Sequence, residues 1–569
     1  MPNIRIMLWV ALAAILYLNY EAWMRDYGAP AANAPVTTTA PGNASNPTPA
    51  PATLGDTVPQ AAAPAAATPA PAGIATPPAA QGAPSNTDPG AELSVRTDVL
   101  AVHINLKGGD LDQADLLQYP LRKDAPDVPV RLLNHDNLNT TYVLQTGLAG
   151  DAGQAAPTHK VSWSAAAQDF TLAAGADEVR VPLTWSDAAG LSVTKTFIFK
   201  RGSYAIDLVY DVRNSGATLR NLAAYSQILR HWEHASRSYF DVETYSFKGP
   251  AVYDGTRSRD LKVEDGEDSH FLATATNGWI AALQHHFVAA VVPTPNLAYR
   301  YQLTVQDSQY LLSATGPTQS IAPGASSQWG EKLFVGPKLQ AQLAATGPSL
   351  ERTADYGRLT VIAQPLFATL NWVHSKIGNW GWSIILVTAL IKLIFYPLSQ
   401  ASGRSMAKMR AVGPRMKQIQ ETYKDDRAKL GQAMMELYKK EKINPLAGCL
   451  PMIVQIPFFI SFYWVLLESV EMRQAPFMLW VTDLSAKDPY FILPLLMGGA
   501  MFAQFKLNPA PPDPMQAKVM QFMPLIMTAM MAWFPSGLVL YWLTNTALSI
   551  TQQLRINQVV EAEANKPRS

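Results

Sequence analysis

Five apolar runs, separated by short polar turns, dominate the last third of this 569-residue chain. They lie at residues 381–398, 449–467, 490–505, 519–534 and 537–552. At ~1.5 Å per residue, each approaches the ~30 Å thickness of a bilayer's hydrocarbon core. The pattern therefore predicts five transmembrane helices. Several have only about 16–19 residues, fewer than the usual ~20, which predicts a locally thinned bilayer.

A sixth apolar run opens the chain at residues 1–26. It follows a basic tip at Arg5 and ends near Glu21 and Trp23, without the small residues of a cleavage site. The run predicts an uncleaved membrane anchor, and a cleaved signal peptide is the alternative.

Residues 27–92 have neither helical nor strand periodicity. They are rich in Pro, Ala, Thr and Gly, and there is no Lys or Arg between Asp26 and Arg96. Such a composition buries too little apolar area to offset the entropy of the chain. It predicts a disordered tether with polyproline character and no chemistry of its own.

Apolar positions alternate with polar ones through residues 93–350. In residues 204–212 every second side chain is apolar and the polar positions include Asp207 and Asp211, as in a half-buried antiparallel strand. Residues 194–199 precede this strand across a short polar turn, which predicts a hairpin. About 250 residues of this kind predict a large antiparallel β-sandwich.

The β region offers little catalytic chemistry. Its clustered imidazoles are His231 with His234 and His285 with His286, and neither pair has further ligands at metal spacing. The whole sequence lacks the motifs of nucleotide hydrolysis, acyl transfer and zinc peptidases. We therefore expect no metal and no cofactor. A net charge of +1 gives no general attraction for nucleic acid, and a single cysteine, Cys449, excludes disulfides within the chain.

Two segments flank the run at 381–398. Residues 365–380 have apolar side chains at helical spacing but are too short and polar to span, so they predict an interfacial helix. Residues 399–445 predict a helical hairpin. Between residues 404 and 442 there are eleven Lys and Arg against five Asp and Glu. Positive loops remain in the cytoplasm, which predicts cytoplasmic termini and a β domain on the periplasmic side.

The predicted hairpin has apolar stripes on both arms. A methionine-rich stripe is typical of surfaces that dock varied apolar clients. The alternative is that the stripes only hold the two arms together. The candidate docking residues are Met406, Met409, Met416, Ile419, Met434 and Leu437.

Lys392 is a full charge within the run at 381–398. Helical spacing puts Thr388 and Tyr396 on the same face, while the other faces are apolar. A lysine near mid-membrane costs roughly 2.5–3.5 kcal/mol on insertion scales, which favours a functional role in a wet cavity. The alternative is that its side chain extends to the cytoplasmic headgroups.

Polar residues in the later runs are candidate partners for Lys392. Taken singly, each is typical of a hydrogen bond between helices. Together with Lys392 and Thr388 they predict a hydrophilic cavity lined by several helices. These residues are Gln455, Gln521, Thr528, Trp542, Asn545 and Ser549.

Four stretches of the membrane region resemble the YidC/Oxa family of membrane protein insertases. They are SMAKMR at 405–410, NPLAGC at 444–449, RQAPF at 473–477 and WFPSGLVLYW at 533–542. The extra first span and the β domain, with NLKGGD at 105–110, are similar to the Gram-negative type of this family.

The resemblance implies a multi-domain inner-membrane protein: an anchor, a periplasmic supersandwich like that of galactose mutarotases, and a five-helix core at 351–569 around a hydrophilic groove. It implies insertion of client helices, alone or with the Sec translocon, without an enzymatic reaction. Lys392 stands where arginine is usual, and Trp542 where tyrosine is common; Thr388 and Gln455 match groove positions. The tail after Arg555 is short, which implies weak contact with the ribosome.

Two other classes of function remain open from the residues. A transporter or channel can also enclose a lysine in a polar cavity, although its usual internal repeats are absent from this sequence. A membrane-tethered carbohydrate enzyme would carry its function in the β domain and would need a cleft with convergent acids or histidines.

Overall fold

The computed structural model describes residues 53–59, 92–232, 246–264, 266–423, 426–441, 450–507 and 514–564. The chain divides into two units, Met1–Ala52 and Thr53–Ser569, and every described residue belongs to the second. The predicted anchor at 1–26 and most of the predicted linker lie outside the described residues.

Twenty β-strands occupy the described part of residues 92–337. Their bounds are β1 Glu92–Arg96, β2 Leu100–Asn105, β3 Asp110–Arg122, β4 Ala125–Leu133, β5 Tyr142–Gly150, β6 Ser164–Ala165, β7 Asp169–Thr171, β8 Glu178–Ser186, β9 Leu191–Lys200, β10 Ala205–Asn214, β11 Arg220–His231, β12 Gly249–Tyr253, β13 Ser258–Asp260, β14 Leu272–Thr276, β15 Trp279–Leu283, β16 Phe287–Val292, β17 Ala298–Gln306, β18 Gln309–Thr315, β19 Gln319–Ile321 and β20 Ser326–Pro337.

The strands form two sheets. The first has the order β14-β17-β18-β11-β5-β3-β2-β1-β7, with β4 beside β3 and β19 beside β11; the second has the order β13-β12-β15-β16-β20-β10-β9-β8-β6. All pairs are antiparallel except β1 with β7. The predicted hairpin is confirmed as β9 and β10, in register from Phe199 opposite Ile206. Alternate side chains such as Leu208 and Tyr210 enter one large core between the sheets. The predicted antiparallel β-sandwich is confirmed.

Helices make up most of the rest. Their bounds are α1 Gln340–Thr346, α2 Thr360–Ile377, α3 Trp380–Ile394, α4 Tyr396–Ala411, α5 Gly413–Thr422, α6 Arg427–Lys440, α7 Leu450–Glu468, α8 Ile492–Leu507, α9 Pro514–Met531 and α10 Ser536–Ala564.

Within the described residues, no helix on its own combines the length and hydropathy required to cross a membrane. The pair Trp380–Ile394 and Tyr396–Ser405 meets that requirement together, with a bend of 61° between its members. Val454–Glu468, Ile492–Leu507 and Val519–Met531 are shorter apolar helices.

The structure corrects several predicted boundaries. The run at 381–398 is not one helix, because it breaks at Phe395. Pro397 lies two residues further on, and it has no N–H to donate to the carbonyl four residues earlier. The described part of the hairpin at 399–445 likewise has three helices rather than two, with a break at Val412 before Pro414. The last described helix, Ser536–Ala564, contains the transmembrane span predicted at 537–552 and continues beyond it.

The predicted interfacial helix is longer at its start than the pattern indicated. It runs Thr360–Ile377, with Pro365 inside its first two turns, instead of 365–380. Leu366, Leu370 and Val373 are buried, as their spacing predicts, and they pack in the core of the helical region. The polar side of α2 includes Ser375, which is exposed, and Thr369, which is half-buried.

Part of the linker predicted to be disordered has a defined structure. Leu54–Asp56 forms a 3-10 turn, and Leu54 is buried against Leu229 and Leu311 of the sandwich. An average over residues 27–92 hides this single leucine, which is why composition missed it.

The helices pack around α10, which contacts α3, α4, α7 and α8. Two glycines allow close approach. A Cβ at Gly381 of α3 would overlap the ring of Phe477, and a Cβ at Gly498 of α8 would overlap the Thr528 hydroxyl of α9. Both residues therefore act as contact points where only a hydrogen fits.

Candidate functional site

The orientation of α3 is set at its beginning. Asn379 caps the helix, since its side-chain oxygen accepts from the backbone N–H of Trp382 at 3.1 Å. The amide of the same side chain donates to the Phe477 carbonyl at 2.9 Å, which ties α3 to the loop after α7. Three turns further on, α3 presents Lys392 to two other helices.

Lys392 is the centre of a polar cluster between α3, α7 and α10. Its Nζ donates to Ser549 Oγ at 2.8 Å and lies 3.4 Å from Gln455 Oε1. The Gln455 amide donates in turn to Asn545 Oδ1, and Ser549 Oγ donates to the Asn545 carbonyl at 2.7 Å. Four predicted groove residues are thus brought together. We call Lys392, Gln455, Asn545 and Ser549 the lysine cluster.

The lysine cluster has one cation and neutral partners. In the described part of the chain, no carboxylate lies within ion-pair distance of Lys392. The side chain is only half-buried, so its ammonium is shielded without being sealed in. A cation held by neutral oxygens retains the capacity to attract an anionic group.

Aromatic side chains border the lysine cluster. The Trp542 ring meets Phe459 of α7 edge-to-face at 4.6 Å, and Phe395 meets Phe458 in the same manner at 5.1 Å. Trp542 thus belongs to the apolar border of the site, one turn of α10 from Asn545.

Three other predicted groove residues are not part of the lysine cluster. Thr388 lies one turn from Lys392, but it is buried and donates to the Ile384 carbonyl at 2.6 Å. Thr528 donates to the Pro524 carbonyl at 2.7 Å and packs on Gly498. Gln521 is exposed. Helical spacing put these residues on polar faces but did not tell which neighbour each face meets.

The predicted docking stripes of the hairpin pack on each other. Met416 and Leu437 are buried in a cluster with Val412, and the partly buried members are Met409, Ile419, Met434 and Tyr438. The side chain of Met406 lies outside the described residues. The interpretation that the stripes join the arms therefore has direct structural support, while a role in docking stays a prediction. Met435, which the stripe did not include, is 43% exposed.

The loop after α7 joins the sandwich to the helices, which sequence reasoning did not foresee. Val470 belongs to the core of the sandwich, whereas Met472, two residues later, belongs to the core of the helical region. A single 3-10 turn, Val470–Met472, thus contributes to both. The RQAPF motif, which begins at the next residue, was the feature of the sequence that could have indicated this junction.

Arg473, the first residue of that motif, anchors the sandwich. Its guanidinium donates to the carbonyls of Pro120 at 2.9 Å and Leu121 at 3.1 Å, and it lies over the Phe287 ring at 5.5 Å. The Gln474 amide also donates to Pro120 O, at 3.1 Å. These contacts hold the end of β3 against the loop.

Two buried histidines also lie at this junction between the sandwich and the helices. His285 donates from Nε2 to the Leu467 carbonyl at 2.9 Å, and burial lowers its pKa to about 4. It stacks on His286 at 3.8 Å between ring centres. The pair is therefore a neutral structural contact between the sandwich and the end of α7. His234 lies outside the described residues.

One group in the described residues could hold a metal ion, and the sequence spacing did not reveal it. Glu92, Asp112 and His135 each bring one candidate ligand atom within 4.8 Å of the others. Asp112 is the extra residue of an irregularity between β2 and β3, which turns its carboxylate toward His135 at 3.5 Å. The residues are far apart in sequence, so no short motif indicates them.

The chain combines a β-sandwich with a helical region, and the loop after α7 joins the two. The helical region holds a cation among polar side chains. This arrangement is typical of one class of protein: a multi-domain membrane protein with a helical membrane core and a large extramembrane domain. Comparisons with known proteins agree. Residues 92–369 match the family model described as the YidC periplasmic domain, and residues 372–563 match that of the 60Kd inner membrane protein.

Curated relatives are similar to the chain over nearly its whole length. The chain is 44% identical to the membrane protein insertase YidC of Nitrosococcus oceani, over 99% of this chain and 100% of the relative. It is 45% identical to that of Thioalkalivibrio sulfidiphilus, over 100% of both. The chain belongs to the YidC family of membrane protein insertases. It is an inner membrane protein, and its β-sandwich is the periplasmic domain of that family.

A solved structure entitled "Active YidC insertase crystal structure with the first transmembrane domain resolved" is also similar. It is 18% identical, with a TM-score of 0.36, over 82% of this chain and 93% of the other. The family assignment rests on the sequence matches.

Proposed function

We propose that this chain moves hydrophobic client segments from the cytoplasm into the inner membrane through a groove at the lysine cluster. The observation that carries the proposal is Lys392 itself: a half-buried cation whose hydrogen-bond acceptors are Ser549 and Gln455, without a carboxylate to neutralise it among the described residues. Such a group attracts the acidic flank of a client while neutral polar side chains replace part of its hydration.

The proposed sequence of events involves no covalent chemistry, and we propose no cofactor. The hairpin α4–α6 receives the emerging segment on the cytoplasmic side, where its excess of basic residues favours that location. The polar flank of the client enters the groove beside Lys392. The apolar segment then leaves into lipid, driven by burial at roughly 25 cal/mol per Å². The membrane potential adds to this for charged flanks.

The docking role in this scheme falls to the partly buried Met409, Ile419 and Met434, together with the exposed Met435. Met416 and Leu437 already pack inside the hairpin and serve to keep it rigid. Met406 remains a candidate by its position in the sequence.

The topology follows from charge and parity. We propose six spans, counting the N-terminal anchor, with both termini in the cytoplasm and the β domain in the periplasm. The partners we propose are client membrane proteins, the Sec translocon and, through a short tail only, the ribosome. The family resemblance supports the last two, and no contact among the described residues argues for them independently.

The test is insertion of a short client into liposomes that contain the purified full-length protein, scored by protease protection. Two clients differ only in an acidic or a neutral flank. We expect K392E to impair the acidic-flanked client by more than K392A does, and K392R to retain most activity, because the sign of the charge attracts the flank.

K506E is the matched control, since Lys506 lies over the Phe502 ring at the end of α8 and is not a member of the lysine cluster. We expect it to affect both clients equally. Equal losses for K392A and K392E with the acidic-flanked client would contradict the role of the charge. Full activity of a chain without residues 93–345 would exclude the periplasmic domain as the main site of function.

A further inference from the structure

One face of the first sheet is covered where an antiparallel sheet normally meets water. In β5 and β11 side chains of both faces are buried, although only one face points into the sandwich core. Leu144 and Ile228 enter that core, whereas Gln145, Gln227 and Leu229 alternate with them and point away. Something other than the second sheet must therefore cover the outer face.

The segment Thr53–Pro59 of the linker lies on this face. Leu54 is 5% exposed and packs on Leu229 of β11 and Leu311 of β18, which stand opposite each other in the sheet. The Thr53 hydroxyl donates to the Asp56 carboxylate at 2.6 Å, which closes the turn that presents Leu54. The segment thus has its own local structure and one apolar anchor.

Backbone carbonyls of the segment are recognised by side chains of the sheet. Gln145 donates to the Gly55 carbonyl at 3.3 Å, and Gln227 donates to the Thr57 carbonyl at 3.2 Å. Gln227 also donates to Gln145 Oε1 at 2.7 Å, so each amide orients the other. Two paired glutamines that bind main-chain oxygens form a peptide-binding arrangement.

A buried histidine completes the recognition. His159 Nε2 lies 3.0 Å from the Gly55 carbonyl, and its Nδ1 lies 2.6 Å from the Tyr225 hydroxyl. That hydroxyl already accepts from the His159 backbone N–H, so its own hydrogen is free to point at Nδ1. This arrangement leaves the proton of the neutral ring on Nε2, where it is donated to the linker.

We infer that the outer face formed by Gln145, His159, Gln227, Leu229 and Leu311 is a peptide-binding site whose resident ligand is Thr53–Thr57 of the same chain. Its ligand class is a short turn with a leucine anchor, in which backbone carbonyls beyond the leucine, here those of Gly55 and Thr57, accept from side chains of the site. We call these five sheet and loop residues the linker site.

Occupation of the linker site changes the reach of the tether. At ~3.1 Å per residue, a fully extended chain of the length of residues 27–92 would span about 200 Å, and one of the length of residues 27–52 would span about 80 Å. The docked segment thus shortens the length of chain that links the anchor to the periplasmic domain. Since the segment is tethered, its effective concentration at the site is in the millimolar range, so weak contacts suffice.

The test measures cleavage before Asp56 by an endoproteinase specific for aspartate, on the full-length protein in detergent, relative to cleavage before Asp88 in the same linker. We expect the Asp56 site to be protected in the native chain. L54N removes the apolar anchor without changing the sandwich and should raise the ratio at least tenfold. L138N is the matched control, because Leu138 is 76% exposed and makes no such contact.

The second arm changes the receiving side. Q145A combined with Q227A should raise the same ratio, whereas Q168A, at an exposed glutamine of the same domain, should not. Thermal unfolding checks that each variant retains the sandwich. If L54N leaves the ratio at the native value, the inference is wrong. The same conclusion follows if L138N raises the ratio as much as L54N does.

Discussion

Lys392 donates a 2.8 Å hydrogen bond to Ser549, and this contact joins α3 to α10, the last helix of the described residues. The two residues are 157 positions apart in sequence. Both helices also connect to α7, because Gln455 of α7 lies close to Lys392 of α3 and donates a hydrogen bond to Asn545 of α10. The candidate groove is therefore defined by a set of contacts among helices, not by any one of them.

The coupling between Lys392 and Ser549 is measurable. In a double-mutant cycle of K392A and S549A, we expect an interaction free energy of about 1 kcal/mol, since the bond has a charged donor but competes with Gln455. Thermal unfolding in one detergent supplies the four stabilities. The cycle of K392A with T551A, an exposed threonine on α10, should give additivity within about 0.5 kcal/mol. Equal coupling in both cycles would contradict the contact.

Adjacent glycines in α8 should respond in opposite ways to alanine. Gly498 is buried against Thr528, so G498A should destabilise the protein by about 1–3 kcal/mol through overpacking. Gly499 faces open space, so G499A should be neutral or stabilise by up to ~1 kcal/mol through helix propensity. Unfolding temperatures of the two variants provide the comparison. A loss in G499A as large as in G498A would show that the close contact is not the cause.

Arg473 should hold the periplasmic domain on the helices. R473A removes two donors from the carbonyls of Pro120 and Leu121, and we expect a loss of about 1.5–3 kcal/mol and faster amide exchange in β3 and β4. R473K should recover only part of the lost stability, because an ammonium lacks the forked donor geometry of a guanidinium. R257A is the control, since that side chain is 79% exposed. Unchanged amide exchange in β3 and β4 of R473A would contradict the role of Arg473 in holding the sandwich against the loop.

His159 gives the sandwich a specific dependence on pH. Burial lowers its pKa to about 4, below the ordinary value near 6.5, so the unfolded chain binds the proton more readily. The stability it contributes is complete above pH 6.5 and is lost as pH falls through about 4. The loss amounts to at most about 3 kcal/mol. Other buried groups titrate as well, so the informative quantity is the difference between the native chain and H159Q. If both chains lose equal stability between pH 7 and pH 4, the assignment to His159 is wrong.

Local patterns predicted the two-part architecture because they are properties of single elements. Alternation in residues 204–212 is enough to recognise β10, since a half-buried strand repeats every second residue whatever it pairs with. Apolar length in α7 and α8 is equally local. The break at Phe395 was missed because Pro397 was counted within an apolar run instead of as the end of a hydrogen-bonded ladder.

The candidate site was predicted only in part for a related reason. Helical spacing identified polar faces, and four of the residues, Lys392, Gln455, Asn545 and Ser549, meet. Thr528 satisfied the same criterion yet packs on Gly498. Which residues a helix face contacts depends on the rotation of every packed helix about its own axis. That rotation is set by many side chains at once.

The sequence by itself determined the succession of elements, the side of the membrane favoured by its charges and the family, because periodicity, charge and motifs are read along the chain. Only the tertiary structure decided which polar groups surround Lys392 and where Leu54 docks. It also decided that Val470 packs in the core of the sandwich and Met472 in the core of the helical region. Those outcomes rest on contacts between residues far apart in sequence, whose geometry is set by the packing of whole elements.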